Sequence, residues 1–168
     1  HILLLKGKIL LRKNRIDECL ELIDKFEVSE ENHELQNWLG LVMQYNFEFK
    51  KAIKHFLTAI KYSASSDEYY YNCASTYFKM GETSLAKKYY NFAISLKPDN
   101  KNYHFALANL YYSEEHNKRA MEELNYDFFE ARLLKSIILY DTGYVAMAKK
   151  EIDELEKIQP DNELLQTY

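Results

Sequence analysis

Three alanines, Ala52, Ala86 and Ala120, stand 34 residues apart, and small and aromatic residues around them fall into the same register. Ala52-x3-Phe56-x2-Ala59 is followed by Ala86-x3-Tyr90-x2-Ala93 and then by Ala120-x3-Leu124. Twelve residues before each alanine lies another small residue: Gly40, Ala74 or Ala108. A fixed period of this length marks stacked supersecondary units, because one unit cannot bury its own apolar face and needs the next to cover it. The other glycines and both prolines, which do not set the register, agree with it. Gly7 and Gly40 share one repeat position, Gly81 and Gly143 a second, Pro98 and Pro160 a third.

The unit is helical. Tyr70, Cys73, Ala74 and Tyr77 follow i, i+3, i+4, i+7, the spacing of one helix face, and Ala86, Tyr90 and Ala93 do the same one helix later. Four Gly and two Pro in 168 residues are too few for many short strands joined by tight turns. Each unit therefore reads as helix A, a short turn and helix B. Gly81 and Gly143 are expected at the end of helix A, where a positive φ is cheap only for glycine. Pro98 and Pro160 are expected to end helix B. The units run over residues 1–32, 33–66, 67–100, 101–128 and 129–162, with 163–168 beginning a further helix. The fourth is six residues shorter than the third, and Asp127 with Glu130 predicts a capping box that opens the next helix.

Small, small and aromatic at this spacing resembles the tetratricopeptide repeat (TPR). Residues 67–100 carry the fullest match, through Tyr70, Cys73, Ala74, Tyr77, Gly81, Ala86, Tyr90, Ala93 and Pro98. The other units are looser: 33–66 has Met43 where the family has Tyr and Ala64 where it has Pro, and 129–162 has Ser136 at a small position. The resemblance spans nearly the whole chain. It implies an all-α fold, a right-handed superhelical solenoid of about five helix-turn-helix repeats. It also implies a single domain over residues 1–168, with helices A lining a concave groove.

Carried over residue by residue, the family's groove positions give Asn37, Tyr71, Phe78, Phe105, Asn109, Tyr112 and Tyr140, with Asn72 beside them. Leu4, Lys8, Leu11, Leu41, Gln44, Ser75, Leu133 and Ile137 occupy further groove positions. Rigid aromatics with amide side chains suit the gripping of a peptide. The implied function is a protein-protein interaction module, a scaffold, adaptor or chaperone-like domain that holds a partner segment in the groove. Alternatives are a self-associating structural repeat region, continuation of the repeats in a longer protein, or the non-catalytic TPR part of a larger enzyme or secretion-system component. The carboxylate-clamp type of TPR domain is disfavoured: Asn72 is in place, but Asn37, Leu41, Asn102 and Ala106 stand where the clamp has its other ligands, and its cations are missing.

Chemistry-bearing motifs are otherwise absent from the sequence. His1, His33, His55, His104 and His116 are scattered without metal-ligand spacing, and no glycine loop is left to cradle phosphate, so neither enzyme activity nor a cofactor is expected. Cys19 and Cys73 fall on core positions, as small buried hydrophobes would. The net charge of -4 disfavours nucleic acid, and Ile2–Leu5 is too short an apolar run for membrane insertion. Unpaired cysteine spacing and the lack of a signal-peptide layout lead to the expectation of a cytoplasmic protein. Residues 101–168 hold 13 acidic and 8 basic side chains, against 9 and 10 in residues 1–61, so one end is expected to be more negative.

Overall fold

The periodic small residues draw the chain into successive helical hairpins. The computed structural model describes residues 2–26, 29–160, 162 and 165, and every regular element among them is helical. Two compact units divide it. The first, residues 1–99, holds α1 (Ile2–Arg12), α2 (Ile16–Ile23), α3 (His33–Tyr45), α4 (Phe49–Tyr62), α5 (Asp67–Lys79) and α6 (Thr83–Leu96). The second, residues 100–168, holds α7 (Lys101–Ser113), α8 (Asn117–Glu123), α9 (Phe129–Asp141) and α10 (Val145–Ile158). The further helix expected from residue 163 lies outside the described residues, apart from Leu165, which is buried beside Leu133 and Leu155.

Every hairpin turns in the same way. The second residue after helix A is left-handed in all five: Asn14, Phe47, Gly81, Glu115 and Gly143, with φ of 54°, 59°, 78°, 61° and 87°. The next backbone N–H then reaches back to a helix-A carbonyl, as Glu48 N does to Met43 O (2.8 Å), Glu82 N to Tyr77 O (3.0 Å) and Tyr144 N to Leu139 O (2.8 Å). This is the Schellman closure, which satisfies an otherwise orphaned carbonyl. Glycine was expected there and stands at two of the five positions. The remaining three adopt the conformation without it. Three of the five B helices also end alike: Ser63, Lys97 and Gln159 share φ between -149° and -139° and ψ between 75° and 78°. Pro98 and Pro160 hold the preceding residue extended, while Ser63 adopts the same geometry before Ala64.

The cores sit at the expected positions. Ala52, Phe56 and Ala59 are fully buried along α4, as are Ala86 and Ala93 on α6, with Tyr90 almost so. Gly40, Ala74 and Ala108 are buried as well. In the first unit Leu4, Leu10, Cys19, Leu35, Trp38, Leu39, Phe56 and Cys73 belong to one cluster. In the second, Ala108 packs with Ala120, Leu124, Ala131, Leu134 and Ile138. The helix of the short unit, α8, has 7 residues where α4, α6 and α10 have 14 each.

One local expectation fails. Asp127 and Glu130 do not form a capping box: α9 begins at Phe129, and its N-cap is Phe128, extended (φ -143°, ψ 159°) with no side-chain cap bond. Phe128 is drawn inward by an edge-on contact with Phe105 at 5.5 Å, which moves the helix start one residue past Asp127.

Candidate functional site

Helices α1, α3 and α5 are the A helices of three consecutive repeats, and one cavity of about 390 Å³ opens among them. Its apolar lining comes from Leu11, Trp38 and Leu41, and Asn37 adds an amide. Its charges come from Lys8 and Arg12 on α1, Glu34 on α3 and Glu68 on α5. Trp38 reaches this place because residue 7 has no side chain. A Cβ on Gly7 would stand 2.6 Å from the indole Cζ2, so only glycine admits the ring between α1 and α3.

Several of the amide and hydroxyl groups here are bonded to one another, while the buried Trp38 indole N–H has no partner. Asn72 donates to Asn37 Oδ1 (2.9 Å), and Asn37 donates to Glu68 Oε1 (3.3 Å). Further along the same two helices, Gln44 donates to the Thr76 hydroxyl (2.6 Å), which donates to Asn72 O (2.8 Å). Asn37, Gln44, Asn72 and Thr76 are all buried, where an unbonded amide would be costly. At the rim Lys8 pairs with Glu34 at 3.2 Å. The side wall is Tyr69, whose hydroxyl meets His33 Nδ1 at 2.8 Å; burial raises its phenol above the usual range, with Glu34 and Glu68 adding to the rise.

The residues singled out from sequence divide by unit. In the first, Asn37 and Asn72 come together as described. Tyr71 is half-buried, its ring 5.8 Å from that of Tyr90, and burial raises its hydroxyl pKa, with Tyr45 contributing. Phe78 is half-buried one turn before the α5–α6 corner. In the second unit Phe105 is half-buried against Phe128, and Asn109 spends an amide N–H on Phe105 O at 2.9 Å, within its own helix. Tyr112 donates to Asp141 Oδ2 at 2.7 Å and ties α7 to the end of α9, while Tyr140 is 59% exposed. Arg12, Glu34, Glu68 and Trp38 were not singled out. Glu34 and Glu68 are the second residues of the units 33–66 and 67–100, and Arg12 follows the groove position of Leu11, so the register held a signal for three of the four. Among the described residues no cluster of three or more His, Cys, Asp or Glu could hold a metal, and no helix is long and apolar enough to cross a membrane.

The comparisons agree with this fold. The family signature of the tetratricopeptide repeat matches residues 68–100, and a second TPR signature matches 48–81. No curated protein matches the chain in sequence. Among solved structures, a thermophilic TPR protein of Thermus thermophilus is similar at 16% identity, covering 98% of this chain and 94% of its own, with a TM-score of 0.78. MamA of Desulfovibrio magneticus RS-1 is similar at 12% identity, covering 96% of each chain, with a TM-score of 0.80. The TPR protein YrrB, which has an unusual peptide-binding site, is similar at 18% identity, covering 96% of this chain and 87% of its own, with a TM-score of 0.73. At such identities these likenesses speak for the fold alone, while tetratricopeptide-repeat signatures cover residues 48–100 of this chain.

Proposed function

We propose that the chain is a protein-interaction module, and that the face formed by α1, α3 and α5 holds a short segment of a partner protein. The observation that carries this reading is the cavity itself. It combines apolar side chains with an amide and with charges at its rim, and it is built by side chains from three successive A helices. A volume of about 390 Å³ is near the small end of ligand sites and suits a few side chains of an extended segment rather than a folded surface. The peptide-binding site of the similarly folded YrrB is consistent with this use of the fold. In the second unit Tyr112 and Tyr140 are the residues through which we propose a partner is contacted.

The test is selection of binders from a random displayed-peptide library on the wild-type chain, followed by affinity measurement on Leu41→Ala and Tyr71→Ala. Groove binders should weaken about tenfold or more on these variants, with melting curves showing the chain still folded. Peptides that bind wild type and both variants equally would refute the groove.

A second reading, self-association, is favoured by the outer face of α1. Ile2, Leu5 and Ile9 lie at i, i+3 and i+7 and are 86%, 61% and 47% exposed. Sedimentation velocity at several concentrations should then show a Leu5→Ser variant as more monomeric than wild type. A wild-type chain that stays monomeric throughout removes that reading.

A further inference from the structure

Accepting the groove reading, we infer that the α1–α3–α5 cavity selects a segment carrying an acidic and a basic side chain on either side of an apolar one, with the acid on the α1 side. The first ground is what the floor has already spent. The carbonyl and one N–H of Asn37, and one N–H of Asn72, are used within the molecule. Half of the amide groups that could otherwise read a peptide backbone are thus occupied, and discrimination falls largely to the rim.

The second ground is which rim charges are compensated. Lys8 and Arg12 stand one turn apart on α1, both facing the cavity. Glu34 takes Lys8 at 3.2 Å. Among the described residues Arg12 has no carboxylate partner, and Glu68 accepts an amide N–H but pairs with no cation. One uncompensated positive charge thus lies on α1 and one uncompensated negative charge on α5. Leu11 and Leu41 line the space with them. A segment with two acids or two bases gains one attraction and suffers one repulsion. A segment with one of each, in the matching order, gains both. The mixed segment is therefore preferred, and its direction is fixed.

The experiment uses peptides selected on the full chain and sorted by dependence on Leu41. The expected sequences carry Asp or Glu and Lys or Arg flanking an apolar residue. For one such peptide, fluorescence anisotropy should show about fivefold to tenfold weaker binding on Arg12→Glu. Glu68→Gln, which keeps an acceptor for Asn37 while removing the charge, should weaken it too. A variant peptide with its acid replaced by Lys should bind wild type more weakly than the parent but Arg12→Glu more strongly, an inversion that simple unfolding cannot produce. Leu41-dependent peptides without this charge pattern, or without that inversion, would overturn the charge inference and leave the groove standing. The absence of any Leu41-dependent peptide would overturn both.

Discussion

Gly40→Ala adds one methyl group at the tightest helix crossing of the first unit. Its Cβ would stand 2.5 Å from Phe56 Cε1, 2.7 Å from Cδ1 and 2.9 Å from Cζ. Carbon atoms in contact prefer about 3.5–4.0 Å, so the ring or the helix must yield by roughly 1 Å. The ring has nowhere to go: Phe56 is fully buried between Ala52 and Ala59 on its own helix. Overpacking of this kind costs about 1–3 kcal/mol. The variant also gains about 0.5–1 kcal/mol, because alanine is the better helix former in mid-helix. The net expectation is a loss of about 1–2 kcal/mol, read as a lower urea midpoint with an unchanged slope. Shortening the ring partner separates this clash from a general effect. In Phe56→Leu the added methyl finds space, so Gly40→Ala should cost less there than in wild type, with a coupling of about 1 kcal/mol in the double-mutant cycle. A Gly40→Ala chain as stable as wild type, or strict additivity with Phe56→Leu, would refute the close approach of α3 and α4.

Phe47 and Glu115 hold left-handed backbones that cost a non-glycine residue about 1–2 kcal/mol, while glycine adds less than that in chain entropy. Phe47→Gly and Glu115→Gly should therefore each raise stability by a few tenths to about 1 kcal/mol, measured by thermal or urea melts. Gly81→Ala should lower it, although space around residue 81 is open. Cys73 should be inert: burial pushes its thiol up to about 12, so Ellman's reagent at pH 8 should label it only after denaturant is added. His55 donates from Nδ1 to Gln36 Oε1 at 2.8 Å, and burial, aided by Lys54, lowers its pKa. The unfolded chain then takes up the proton first, so this contribution is complete above about pH 6.5 and is lost as pH falls below it. The fall in melting temperature between pH 7 and 5 should be smaller in His55→Gln.

The hairpins were legible in the sequence because each repeat solves the same packing problem. Gly40, Ala74 and Ala108 recur since two helices meet closely at that point in each unit, and Phe56, Tyr90 and Leu124 recur to fill the space beside them. The left-handed turn is a different case. Gly81 and Gly143 announce it, but Phe47 and Glu115 do not. There the flanking helices and the returning Schellman bond fix the conformation against local preference. The Asp127–Glu130 capping box failed for a related reason: a tertiary contact between Phe128 and Phe105 outweighed a local motif. At the candidate site the sequence showed which residues share a face, but not which of them would satisfy each other. Asn37 and Asn72, 35 residues apart, were counted as donors for a ligand and bond one another instead. Lys8 and Glu34 are 26 apart, and only the fold makes them a pair that leaves Arg12 and Glu68 over. What distinguishes one such protein from another therefore lies in the positions that repeat packing leaves unconstrained. Recognition should change with Arg12 and Glu68 while the hairpins stay as they are, and stability should change with Gly40 and Phe56 whatever the groove contains.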